Sequence, residues 1–173
     1  MKNTLILLSV AAIALSGCAS PAKTENMTIQ KNQIVNVASN SKFYNSISHV
    51  VVDGGKDTNP LWTSQVSSES FESALIESLR QANLWSYTKK YSLQTNLISL
   101  KQPIVGFNMT VSASVDYKIK DETTGTVIFD EKIDSAYTAT VGDAFAGFER
   151  LRIANEGAIR NNIELFLKKL SEK

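Results

Sequence analysis

The sequence predicts a two-layer α+β domain in which a mainly antiparallel sheet carries two helices on one face, in the order β-α-β-β-β-α. Two observations lead to this fold class. Apolar residues repeat at helical spacing in two separate segments, and between those segments they alternate with polar residues over a long stretch. Strands joined by short turns pair antiparallel, and the helices on either side of them in the chain can cover the apolar face of the sheet.

The first strand is predicted at Ile47 to Val52, a run rich in β-branched residues. A further short strand is expected at 34–37. The turn sequence Asp53-Gly54-Gly55 ends the first strand and opens a long loop. The first helix is predicted over 68–83, with apolar residues every four positions, a serine cap at its start and a left-handed Asn83 at its end.

After this helix the hydrophobic period changes to two. A strand is predicted from Tyr91 to Leu100, with a bulge near Leu97 where the apolar phase shifts. Past Pro103 comes a long strand whose apolar side consists of Phe107, Met109, Val111, Ala113, Val115, Tyr117 and Ile119. A turn at 121–125 then leads into the returning strand, and the alternation predicts that the other face of the sheet is polar.

The last helix is expected to be capped by Asp143 and to follow the second loop. Its predicted core stripe comprises Phe148, Leu151, Ala154, Ala158, Ile159, Ile163, Phe166, Leu167 and Leu170. On the opposite side the charge alternates in sign at intervals of four, through Arg152, Glu156, Arg160, Glu164 and Lys168. This pattern is typical of a helix face in contact with solvent.

The N-terminus has the shape of a bacterial lipoprotein cleavage site. Lys2 and an eleven-residue apolar run from Leu5 to Leu15 lead into Leu15-Ser16-Gly17-Cys18. That run is well short of the roughly 20 residues needed to span a bilayer. Residues 1–17 are therefore predicted to be a signal peptide, residues 18–32 a lipidated Cys18 with a flexible tether, and residues 33–173 a single periplasmic domain. The alternative is an ordinary secretory signal with an unrelated cysteine.

Resemblance to the lipoprotein family implies further detail at this site. In that family the cysteine carries a diacylglycerol and an acylated amine, which together give stable membrane anchoring. The residues after Cys18 are Ala19 and Ser20, not the Asp that in this family usually signals retention at the inner membrane. The resemblance thus implies attachment to the outer membrane, facing the periplasm.

The composition excludes several classes of function. The formal net charge is +1, which argues against nucleic acid as a partner. The chain has one cysteine and one histidine, so a Cys-ligated or multi-His metal site is excluded. A triad of serine, His49 and Asp53 can be drawn, but there is no Gly-x-Ser-x-Gly elbow, and His49 is better explained as a structural or surface residue. We expect no catalytic residues, metal or cofactor, with a hydrolase or transferase as the weakest alternative.

A resemblance to known envelope lipoproteins rests on the element order, the lipoprotein motif and the strand and turn from Tyr117 to Gly125. Over residues 45–170 the chain resembles LptE-type lipopolysaccharide-assembly lipoproteins and the auxiliary lipoproteins of lipid-transporting ABC systems. Curli-secretion-type and peptidoglycan-synthase-activator lipoproteins have related layouts. The resemblance implies a non-enzymatic accessory or scaffold subunit with an envelope protein partner. The LptE type would also imply lipopolysaccharide contact, for which Lys89, Lys90 and Lys101 are candidates if they are not solubility charges.

Two loops are candidates for partner contact. Loop 53–65 contains Leu61 and Trp62, and loop 140–147 contains Phe145. Trp62 is suited to be an interface anchor, although Leu61 and Trp62 could instead fold over the end of the core. Whether Phe145 lies at the same end of the sheet depends on the strand directions. The alternative function is a lipoprotein that binds a small lipid or glycan, and the flat polar face of the long strand also predicts a homo-oligomer.

Overall fold

The structure is a computed structural model that describes residues 18–88 and 90–173, and in it a four-stranded sheet is covered on one face by two long helices. The strands lie side by side in chain order: β1 (Ile47–Asp53), β2 (Tyr91–Lys101), β3 (Met109–Asp121) and β4 (Val127–Ala139). The helices are α1 (Thr24–Met27), α2 (Ser68–Gln81) and α3 (Gly147–Ser171), with a 3-10 turn at Lys31–Gln33. The predicted fold class is confirmed. The predicted signal peptide, with Leu15, Ser16 and Gly17, lies outside the described residues.

The sheet is mixed. β1 runs parallel to β2, whereas β2 and β3, and β3 and β4, pair antiparallel. The parallel pair follows from the helix between the two strands, since α2 carries the chain back to the end at which β1 began. The predicted bulge is confirmed by a register shift between Leu97 and Ser99.

The predicted boundaries of α2 are close to those observed. The Ser67 hydroxyl accepts a hydrogen bond from the Ser70 N–H at 3.2 Å and caps the first turn. At the other end Asn83 is left-handed, with φ of 55°, and the Leu84 N–H donates to the Leu79 carbonyl at 2.9 Å. The fully buried Leu84 therefore folds back on the last turn of the helix.

The core lies between the sheet and the two long helices, α2 and α3. Tyr117 of β3 stacks on Phe166, with ring centroids 4.1 Å apart, and its hydroxyl donates to Asn162 Oδ1 at 3.0 Å. Burial raises the pKa of Tyr117 well above its ordinary value. The close approach of α3 depends also on Gly157, since a Cβ there would lie 2.3 Å from the Tyr137 ring.

Three local predictions are wrong. Phe107 lies outside β3 and is exposed, because regular pairing begins at Met109, opposite Ala139. Residues 34–37 form no strand, although Val37 is buried. Asp143 does not cap α3, which begins at Gly147; its Oδ2 instead accepts hydrogen bonds from the Thr140 N–H and hydroxyl and closes the loop.

The segment predicted to be a flexible tether lies packed between α2 and α3. The Ala19 N–H donates to the Pro60 carbonyl at 2.8 Å, and the Ile29 N–H donates to Ser78 Oγ of α2 at 3.2 Å. Met27 is fully buried and Ile29 nearly so. The folded unit therefore includes residues that the sequence-based boundary at residue 33 leaves out.

This segment also overturns the prediction of a fully solvated charged face on α3. Arg152 and Glu156 are buried. The Lys23 N–H donates to Glu156 Oε1 and the Asn26 amide donates to Glu156 Oε2, both at 2.9 Å. Arg152 pairs with Glu156 and with Glu149, and its guanidinium lowers the pKa of the Glu149 carboxyl. The charged stripe of α3 thus binds the N-terminal segment.

Candidate interface at one end of the sheet

Strand directions bring three loops to one end of the sheet. β1 and β2 are parallel and both finish there, β3 starts there, and β4 returns there before α3 begins. Loops 54–67, 102–108 and 140–146 are therefore neighbours. The strand directions thus place Phe145 at the same end as Leu61 and Trp62, which sequence alone leaves open.

These loops carry a group of exposed apolar side chains, which we call the apolar tip: Leu61, Trp62, Ile104, Val105, Phe107 and Phe145. Each is between 82% and 97% exposed, so Leu61 and Trp62 do not fold over the core. Tyr87, near the opposite end, is as exposed, but Val127 at that end is only 46% exposed, so the described residues form no comparable group there. Single exposed apolar residues are ordinary, whereas a group on adjacent loops marks an interaction surface.

Polar side chains tie the first two loops together beneath the tip. Gln102 donates to the Ser64 carbonyl and to Asn155 Oδ1, both at 2.8 Å. Fully buried Asn155, on α3, donates to the same Ser64 carbonyl at 3.0 Å. Gln102 Oε1 accepts from the Thr63 hydroxyl at 3.1 Å. The loop that carries Trp62 is thus fixed both to the loop after β2 and to α3.

Arg150 holds the third loop. Its side chain is buried in the first turns of α3, and its guanidinium donates to the carbonyls of Ala144 at 2.9 Å and Phe145 at 2.5 Å, with a longer contact of 3.4 Å to the Gly106 carbonyl. Arg150 therefore joins loop 140–146 to loop 102–108. Sequence reasoning missed Arg150, Gln102 and Asn155. The only sign of their role in the sequence is that each is a polar residue close to apolar ones.

Cys18, the residue predicted to be lipidated, is exposed at this same end. The hydrogen bond from the Ala19 N–H to the Pro60 carbonyl places it beside the loop that continues into Leu61 and Trp62. The start of the described chain and the apolar tip are therefore adjacent. The lipidation itself stays a prediction.

The other sequence candidates do not come together. His49 is exposed on the open face of the sheet, in a groove with Ser92 and Glu122, whereas Asp53 lines a different groove. Lys90 and Lys101 stand at opposite ends of β2, about 35 Å apart, and Lys89 lies outside the described residues. Among residues 18–88 and 90–173, no three His, Cys, Asp or Glu side chains are placed to hold a metal ion.

The open face of the sheet is polar, as predicted. Ser114 donates to Asp134, and Lys118 forms an ion pair with Asp130 at 3.2 Å. A broad groove crosses this face and is lined by residues of β2, β3 and β4, including Lys101 and Lys132. Within the described part of the chain, no helix is long and apolar enough to cross a bilayer.

Comparison with known proteins identifies the fold. No protein-family model and no curated protein matches this sequence. Among solved structures, the chain is similar to a Xanthomonas campestris protein of family DUF330, with 12% identity and a TM-score of 0.53 over 79% of this chain and 91% of that chain. It is also similar to the PelC dodecamer from Paraburkholderia phytofirmans, with 12% identity and a TM-score of 0.52 over 79% and 94% of the two chains.

A third similar structure is a minor lipoprotein from Acinetobacter baumannii, with 9% identity and a TM-score of 0.51 over 75% of this chain and 94% of that chain. At these identities the likeness concerns the fold. None of the three names specifies the LptE type, so that resemblance stays a prediction. The chain shares its α+β fold with bacterial proteins that include a lipoprotein and a dodecamer.

Proposed function

We propose that this protein is a lipid-anchored lipoprotein of the bacterial outer membrane that faces the periplasm and serves as a non-enzymatic accessory subunit of an envelope assembly or transport complex. The observation that carries the proposal is the position of Cys18. It follows the lipoprotein motif, it is exposed, and the chain beyond it is held at the end of the domain that bears the apolar tip. An acyl chain on its sulfur would emerge from the domain at that end.

The similar structures support the proposal at the level of the fold. One of them is a minor lipoprotein and another is a dodecamer. β1 and β4 are both edge strands of this sheet, and an edge strand can pair with another chain. Self-association through an edge or the open polar face is therefore part of the proposal. Light scattering that detects only monomer at high concentration would remove that part.

Acylation is the first test. Intact-mass measurement of the protein purified from membranes should show a chain that starts at Cys18 and carries the added mass of the acyl groups. The Cys18→Ser variant should lose that mass and leave the membrane fraction. A chain that keeps the unmodified cysteine would contradict the proposed anchoring.

The accessory role needs a separate test. Crosslinking in native membranes, followed by mass spectrometry, should recover an envelope barrel or transporter subunit with the wild-type protein. A matched variant with charge reversals on the open face, Lys118→Glu with Lys132→Glu, tests whether that face makes the contact. Capture of lipid or glycan alone would favour a ligand-binding lipoprotein instead.

A further inference from the structure

We propose that the apolar tip inserts into the surface of the lipid bilayer beside the anchor, so that the domain stands with this end on the membrane. This inference rests on the proposed function, because it takes Cys18 to be acylated. It goes further by assigning Leu61, Trp62 and Phe145 to a lipid contact in place of a protein contact.

The first argument is position. A backbone hydrogen bond from the Ala19 N–H to the Pro60 carbonyl holds the residue after Cys18 against the loop that carries Trp62. Acyl chains on Cys18 would enter the bilayer within a few residues' reach of the tip. The packed segment 19–33 leaves no free length of chain at that point that could hold the tip away from the membrane.

The second argument is charge. The stretches that carry the tip residues, 59–65, 102–108 and 144–147, contain no acidic or basic side chain, and the exposed charges of Asp57, Lys101 and Asp143 lie outside them, toward the body of the domain in sequence. A charge is costly to bring into a bilayer, so their absence suits lipid contact. The tip also includes Trp62 with two phenylalanines, and tryptophan is enriched where membrane meets water.

The third argument is the hydrogen bonding of the backbone. A loop can enter an apolar environment only if its polar backbone groups have partners. The carbonyls of Ala144 and Phe145 accept hydrogen bonds from Arg150. The Leu61 N–H donates to Asn59 Oδ1 at 3.0 Å, and the Trp62 N–H donates to the Asn59 carbonyl at 3.1 Å. In loops 54–67 and 140–146, these four backbone groups thus have partners within the domain.

The two tryptophans provide an internal test. Trp62 is in the tip, whereas Trp85 lies near the opposite end of the sheet, bridged to Ile47 at the start of β1 and so about 20 Å away along that strand. The full mature protein is reconstituted into vesicles of phosphatidylethanolamine and phosphatidylglycerol, with or without brominated acyl chains. Wild type is compared with Trp62→Phe. Because Trp62 is exposed, this substitution leaves the core intact.

In wild type, brominated lipid should quench a large part of the fluorescence, and the emission should shift to the blue on vesicle binding. In Trp62→Phe, the remaining Trp85 emission should be quenched little. Equal quenching in the two proteins would overturn the inference. A blue shift that depends on protein concentration, without quenching, would also overturn it by identifying a protein contact.

Intact mass, measured on the same samples, separates this inference from the proposed function. Acylated protein with unquenched Trp62 would reject the tip contact and leave the anchor in place. Protein without acyl groups whose Trp62 is quenched on added vesicles would reject the proposed anchor and keep the tip contact. Protein that has neither acyl groups nor quenched Trp62 would reject both the anchor and the tip contact.

Discussion

Replacement of Arg150 by alanine should loosen the apolar tip and lower the stability of the domain. The guanidinium makes two short hydrogen bonds to the carbonyls of Ala144 and Phe145, and the third contact, to Gly106, is long at 3.4 Å. A hydrogen bond to a charged group contributes about 1.5 to 3 kcal/mol, and the long contact adds little. Because the two carbonyls lie in a surface loop and can turn to water, the lower value applies to each. The expected loss is about 3 kcal/mol.

For a chain of this length, that loss lowers the melting temperature by about 6 to 12 °C. The measurement is thermal and urea unfolding of the Cys18→Ser protein with and without Arg150→Ala. Hydrogen exchange should in addition be faster in loop 140–146, whose Ala144 and Phe145 carbonyls lose their partner. The stability of Arg150→Lys should lie between those of the parent and Arg150→Ala, because an ammonium keeps the charge but not the guanidinium geometry that serves the Ala144 and Phe145 carbonyls.

The matched control is Arg80→Ala on α2. Arg80 is half exposed, pairs with Glu77 at 3.6 Å and lies over the Trp85 ring at 5.4 Å. Its removal should cost less than about 1 kcal/mol. If Arg150→Ala unfolds at the same temperature as this control and the loop amides exchange as in the parent, the guanidinium does not hold the tip and the reasoning fails.

Three further changes test the core and the helix start. Tyr117→Phe should lower the free energy of unfolding by about 1 to 3 kcal/mol, because it leaves the buried Asn162 Oδ1 without its donor. Urea unfolding measures this loss, and a loss below about 0.5 kcal/mol would contradict the prediction. Gly157→Ala should cost about 1 to 3 kcal/mol, since the new methyl group meets the Tyr137 ring; a melting temperature equal to wild type would show that the ring moves aside freely. The pKa of Glu149 is lowered in the folded state, so its contribution is present above the unfolded pKa and is lost as the pH falls through the folded value. Unfolding midpoints between pH 6 and about pH 3 should thus fall less steeply for Glu149→Gln, and parallel curves would refute this.

The regular part of the fold could be predicted because its patterns are imposed by geometry. The pleat of β3 forces alternation from Met109 to Ile119, and α2 shows the four-residue spacing of one buried face. Alternation does not show where pairing stops, so Phe107 reads as part of the strand. The last paired residue at that end is Met109, whose position is set by Ala139 on β4.

The N-terminal segment could not be predicted, for a related reason. Met27 and Ile29 are too few to form a hydrophobic period, yet they fill the space between two helices. The charges on α3 would look the same whether they faced water or the backbone of another segment. Glu156 accepts hydrogen bonds from that segment at both carboxylate oxygens, and nothing in the local sequence distinguishes this partner from solvent.

The candidate site was predicted in part. Leu61, Trp62 and Phe145 stand out as large apolar residues in glycine-containing loops, and all three are in the tip. Ile104 and Val105 were missed, because a two-residue apolar run between Pro103 and Gly106 is indistinguishable from a linker. The three loops of the tip converge because β1 and β2 pair in parallel. That pairing is a property of the whole sheet and not of any one loop.

The correction to the N-terminal segment changes what an anchor at Cys18 would do. A flexible tether would let the domain stand off the membrane in any orientation. The segment is instead packed between α2 and α3 and held by Glu156, so it fixes Cys18 beside the tip. Under the proposed function, the strands would then stand on the membrane at one end, and the open polar face of the sheet would point sideways into the periplasm. That orientation leaves the polar face and the edge strands free for protein partners, and it separates the lipid contact from the protein contact on the same small domain.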